Sequence, residues 1–114
     1  MQLIGRAFVA GGAALCMLTH RPAAVADTGA VIFETKCAAC HANGGNVLNP
    51  QKTLDAKALE KFKYNEQAAV VELLKNGKGQ MPKYQGAIPP ISRLSDEDIE
   101  AVAQYVLDTS ARGW

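Results

Sequence analysis

The last third of the chain carries the clearest hydrophobic pattern. Ile99, Val102, Ala103, Val106 and Leu107 recur at i, i+3, i+4, i+7 and i+8, the spacing of a helix with one buried stripe. Ser95 stands where an N-cap belongs, Asp98 where a capping-box acid belongs, and Leu94 is placed to staple against Ile99. Asp96, Glu97 and Asp98 suit the positive end of the helix dipole, so this acidic run is read as helix-start chemistry and not as a metal site. Gly113 then stops the helix. Upstream, Val70, Leu73 and Leu74 share a face of a helix that Asn65 is expected to cap and Asn76-Gly77 to end. A short helix capped by Thr53 is expected through Leu54, Ala58 and Leu59. A first helix is expected from about Thr28 to Lys36, with Ile32 and Phe33 apolar, leading into Cys37. Between His41 and Pro50, two glycines, three asparagines and the proline predict a loop. No segment alternates like a strand, and there is no internal repeat. The pattern predicts an all-α domain of four to five short helices.

The start of the chain follows other rules. Arg6 precedes an apolar run, Ala7 to Leu18, and Ala24-Val25-Ala26 makes a small-residue cleavage site. The run falls short of the roughly 20 apolar residues that cross a bilayer, and Gly11 and Gly12 break it. Residues 1–26 therefore read as a secretory signal peptide and 27–114 as the mature domain, with Cys16 and His20 discarded. Removing 26 of 114 residues leaves 88, which carry all 11 acidic side chains and, with Arg6 and Arg21 gone, 10 of the 12 basic ones. A near-neutral chain without a basic stripe gives no sign of nucleic-acid binding. So short a domain rarely folds on its own core and usually needs a staple. The two remaining cysteines are too close in sequence for a disulfide between them to serve as one.

Those cysteines lie in Cys37-Ala38-Ala39-Cys40-His41. Two thiols at this spacing can each form a thioether to a haem vinyl group, and the next residue offers its imidazole to the iron. A thioredoxin-like redox pair would need a βαβ context and no following histidine. A zinc site would need further Cys or His ligands, and the mature region has none. One covalently bound haem c is therefore expected, held by Cys37, Cys40 and His41, and it would give the short chain an apolar centre walled by Leu54, Leu59, Val70, Leu73 and Leu74. The mature region holds one methionine, Met81, forty residues after His41 in Gly77-Lys78-Gly79-Gln80-Met81-Pro82. A lone methionine is commonly core filler. After Cys-x-x-Cys-His, in a glycine-rich loop, it is the candidate second axial ligand.

With these residues in view, the chain resembles the cytochrome c6 family over nearly all of its mature region. The matching stretches are Gly29 and Phe33, Lys52-Thr53-Leu54, Asn76-Gly77-Lys78-Gly79 with Met81-Pro82, Arg93 through Glu100, Tyr105-Val106-Leu107, and Gly113-Trp114. The resemblance implies a class I cytochrome c fold in which Gly29 lets the first and last helices cross closely, with Phe33 and Tyr105 packed there. It implies a soluble one-electron carrier, not an enzyme, working in a thylakoid lumen or periplasm between the cytochrome b6f complex and photosystem I or a terminal oxidase. Lys52 matches a family lysine near a haem propionate, and a solvated surface lysine is the other reading. Arg93 matches a family arginine implicated in docking photosystem I, or is a helix-flanking charge. Two features depart from the family pattern. Residues 83–92 form a Pro-rich connection several residues longer than usual. Leu73 stands where the family commonly has a Gln close to the haem, and an apolar residue there accompanies lower potentials. The related plant and green-algal c6A group also has an insertion at 83–92, with two cysteines that this chain lacks, whereas the apolar residue at 73 makes the chain resemble the cyanobacterial c6B and c6C paralogues. Two other classes stay open at this point: a structural or regulatory haem subunit, and a haem enzyme or gas sensor with an open sixth position.

Overall fold

The structure, a computed structural model, describes the backbone of residues 23–114 and the side chains from Thr28 onward. Nearly all of the expected signal peptide lies outside the described residues. The described chain is helical, with one isolated bridge between Lys78 and Met81 and no strand. Helix α1 runs Ala23–Ile32 and widens into a π-helical turn, Phe33–Cys37. A short helix α2, Ala38–His41, follows without a break and ends in a 3₁₀ turn, Ala42–Gly44. Then come α3, Ala56–Lys61, α4, Gln67–Asn76, a 3₁₀ turn at Pro90–Ser92, and the long α5, Asp96–Arg112. The expected all-α fold is present.

Helix α5 is the spine, packing against α1, α3 and α4. Ile99, Val102 and Ala103 are fully buried and Val106 nearly so, while Leu107 sits half-buried at the edge of the core. The Ser95 hydroxyl accepts the Asp98 N–H at 3.1 Å, and the Gly113 N–H closes the other end on the Thr109 carbonyl at 2.8 Å. Leu94 and Ile99 join one buried cluster, as a staple requires. The crossing of α1 and α5 depends on Gly29. A Cβ there would meet the Ala101 carbonyl oxygen at 2.5 Å and Tyr105 Cβ at 2.8 Å. Beside it Phe33 contacts Tyr105 and Trp114, with ring centroids 5.4 and 5.1 Å away.

Local chemistry moves two of the expected caps. Asp55, not Thr53, caps α3: its Oδ1 accepts the Ala58 N–H at 2.8 Å, while the Thr53 hydroxyl donates to Oδ2 at 2.7 Å. Thr53 braces the cap residue, and a carboxylate is the stronger acceptor for an N-terminal amide. Helix α4 begins after Glu66, one residue later than Asn65 would place it, and has no side-chain cap. The first helical stretch is also longer than the 28–36 expected, starting at Ala23 and continuing through the wide turn to His41.

Candidate haem site

Between these helices lies an apolar cavity of about 590 Å³. It is lined by every residue that the sequence marks as a site candidate: Cys37, Cys40, His41, Lys52, Leu73 and Met81. Each wall has its own sequence logic. The wide turn and α2 carry the two thiols and the imidazole on one short helical segment. Helix α4 contributes Val70, Leu73 and Leu74, with Leu74 and Val70 buried and Leu73 half-buried facing the space. Helix α3 and its flanks contribute Leu54, Ala58, Leu59 and Phe62. All five expected wall residues, four leucines and a valine, line the cavity.

The histidine is oriented by its neighbourhood. His41 Nδ1 lies 2.7 Å from the Gly45 carbonyl oxygen, a partner that can only accept. The proton therefore sits on Nδ1 and leaves the Nε2 lone pair for a metal, the arrangement that backbone carbonyls impose on ligating histidines. Burial pushes the Cys37 thiol up to about 11, against the opposing charge of Lys36. A thiol so shifted stays protonated near neutral pH and is a poor thiolate, which disfavours both dithiol redox chemistry and zinc binding. Among the described residues no group of three His, Cys, Asp or Glu could hold a metal ion.

Met81 is fixed by a tight turn. The Lys78 N–H donates to the Met81 carbonyl at 3.1 Å and the Met81 N–H returns to the Lys78 carbonyl at 3.0 Å. Gly79 enters this turn with φ +60. Gly77, at φ +70, lets the loop fold back on itself, since a Cβ there would meet Lys83 N and Met81 O at 2.8 Å. The side chain of Met81 is half-buried against the core cluster. An apolar space with two thiols, an oriented imidazole and a thioether on its walls fits a covalently held haem.

Lys52 is exposed, its ammonium 5.2 Å from the Phe62 ring centroid. The charged side chains on the cavity wall are Lys36, Lys52 and Lys78, all cationic. Arg93 is exposed and lies outside the cavity lining. Sequence reasoning missed four contributors. Phe62 and Tyr64 line the cavity, with no periodic signal to single them out. Tyr84, in the long connection, is buried, and burial raises its phenol above the ordinary range. Trp114 donates its indole N–H to the Leu54 carbonyl at 2.8 Å and packs on Gly44, whose φ of +77 and lack of a Cβ make the contact possible. It thereby ties the loop after the haem motif to the cavity wall.

The chain is similar to known proteins. The family model for cytochrome c oxidase, cbb3-type, subunit III matches residues 24–106. A cytochrome c6 from Gracilaria tenuistipitata var. liui is 49% identical over 92 residues, covering 81% of this chain and 80% of its own. The solved cytochrome c6 of the diatom Phaeodactylum tricornutum aligns with a TM-score of 0.70 and 40% identity, covering 78% of this chain and 98% of its own. Cytochrome c6C from Synechococcus sp. PCC 7002 aligns with a TM-score of 0.68 and 42% identity over 76% of this chain and 99% of its own. With its Cys-x-x-Cys-His segment, its apolar cavity and this degree of similarity, the chain belongs to the cytochrome c6 family and carries one covalently bound haem c.

Proposed function

We propose that this protein is a soluble carrier of single electrons, in which Cys37 and Cys40 hold the haem and His41 and Met81 are its axial ligands. The observation that carries this reading is the convergence of those four side chains on one apolar cavity. When bound, the haem supplies an Fe(III)/Fe(II) couple. The residues around it do the rest. The Gly45 carbonyl holds the His41 ring in one tautomer. The Lys78–Met81 turn holds the thioether in place. With His41 and Met81 both on the iron, no position would be open to a substrate, and the largely apolar walls would help keep reorganisation small. Soft thioether ligation favours the reduced state and raises the potential, whereas Leu73 offers the cavity no dipole. That balance supports a lower-potential carrier akin to c6B and c6C.

Residues 1–26 are proposed to be a signal peptide that directs the mature domain to a thylakoid lumen or periplasm. Among the described residues no helix is long and apolar enough to cross a membrane. The proposed partners are redox proteins, the cytochrome b6f complex on one side and photosystem I or a terminal oxidase on the other, met by a monomer through brief, small interfaces. A spectroelectrochemical titration of the holo-protein tests this reading. One reversible, one-electron transition is expected. Absence of such a transition, or turnover of peroxide at the haem, would overturn it.

A further inference from the structure

The long connection 83–92 has one buried anchor, Tyr84, beside more exposed ones at Gln85 and at the Ile91 carbonyl, which accepts from Lys36 Nζ at 3.5 Å. Tyr84 lies three positions beyond Met81, is 8% exposed, and lines the cavity. Its N–H donates to the Leu74 carbonyl at 2.9 Å, and its own carbonyl accepts the Leu94 N–H at 3.0 Å. Its hydroxyl donates to the Lys36 carbonyl at 3.1 Å, on the residue just before Cys37. One residue thus joins three segments: its backbone ties the stretch just beyond Met81 to the end of α4 and to Leu94, and its hydroxyl ties it to the haem-attachment segment. Beyond it the connection turns outward. Gln85 closes the neck by donating to the Leu94 carbonyl at 3.3 Å and to Asp96 Oδ1 at 2.7 Å, and Ile91 at the tip is 86% exposed.

We infer that Tyr84 is a positioning residue, whose hydroxyl latches the Met81 loop to the Lys36 carbonyl and so separates the iron ligand from movements of the exposed 85–93 excursion. This rests on the reading of Met81 as an axial ligand. A phenylalanine could fill the same space, so the function resides in the hydroxyl. Opening the Met81 loop must break that bond, and its strength therefore adds to the work of displacing the thioether. The bond reaches across the chain to the segment that carries both thiols, so no rearrangement within the loop alone can replace it. The ligand loop can then stay fixed while the tip adapts to a partner surface.

The test uses ferric holo-protein titrated with imidazole, which competes for the position given to Met81 and is followed by loss of the far-red Met–iron charge-transfer band. Tyr84→Phe is expected to retain the haem and the band, and to bind imidazole roughly two- to thirteen-fold more tightly, the range that one net hydrogen bond confers. Ile91→Ala, at the tip, is expected to match the wild type. Unchanged affinity in Tyr84→Phe, with or without a lower melting temperature, would reduce the bond to general stability and overturn the inference. An equal gain in Ile91→Ala would do the same. A wild-type protein lacking the band would overturn the Met81 reading, and this inference with it. Should Tyr84→Phe fail to accumulate with haem, proton NMR of the wild type decides. A slowly exchanging Tyr84 hydroxyl is expected, and a freely exchanging one refutes the latch.

Discussion

Replacing Leu73 with Gln tests how the cavity wall sets the potential. Leu73 is half-buried on α4 and lines the cavity, while Leu74 beside it turns into the core at 4% exposed. A glutamine at position 73 can therefore bring its amide to the cavity without burying both polar ends. With the N–H end inward, the positive end of the dipole faces the haem and favours the more electron-rich reduced state. A hydrogen bond or oriented dipole of this kind is worth about 0.5–1.5 kcal/mol. Since 1.4 kcal/mol corresponds to about 59 mV for a one-electron couple, Leu73→Gln should raise the midpoint potential by roughly 20–65 mV. The assay is a spectroelectrochemical titration of both proteins, paired with thermal melts. If position 73 acted only through packing, the variant would lose stability from an unpaired amide and keep its potential. An unchanged or lowered potential would refute the link between this position and a low-potential role.

Three further outcomes follow from particular contacts. Cys37→Ser and Cys40→Ser should each largely prevent accumulation of holo-protein, and mass spectrometry showing full covalent haem in both would contradict the thioether assignment. Gly29→Ala should destabilise by about 1–3 kcal/mol through overpacking against the Ala101 carbonyl, although helix propensity alone would favour alanine by up to about 1 kcal/mol; denaturant melts read the sign directly. Asp55 is held below the ordinary carboxylate range of 3.8, first by the Ala58 N–H and then by the Thr53 hydroxyl. Its stabilising effect is therefore complete above the ordinary pKa and is lost as pH falls through the lowered one, so Asp55→Asn should flatten the acid limb of the stability curve.

The elements that the sequence announced most clearly were those whose signals are local. Ser95, Ile99 and Gly113 each act within a turn or two of their own position, and α5 has the expected cap, buried stripe and stop. The haem motif was legible because thioether chemistry fixes its spacing. The α3 cap was misplaced because Thr53 and Asp55 are both good capping residues, and only the backbone turn decides which of them meets the Ala58 N–H. Two long-range hydrogen bonds were not legible at all. Tyr84 reaches a carbonyl 48 positions away and Trp114 one 60 positions away. No periodicity encodes such pairings, since they arise only when α1, α4 and α5 have assembled around the cavity. The family resemblance placed Gly29 against the last helix, where the 2.5 Å approach to Ala101 gives the physical reason.

Ligation of the haem by His41 and Met81 is the claim on which the carrier function stands. Its most direct measurement compares wild-type protein with Met81→Ala, by the ferric far-red band and by carbon monoxide binding to the reduced form. The wild type should show the band and bind carbon monoxide poorly, while Met81→Ala should keep its haem, lose the band and bind readily. Equal carbon monoxide binding by the two proteins, or a band that survives the substitution, would contradict it.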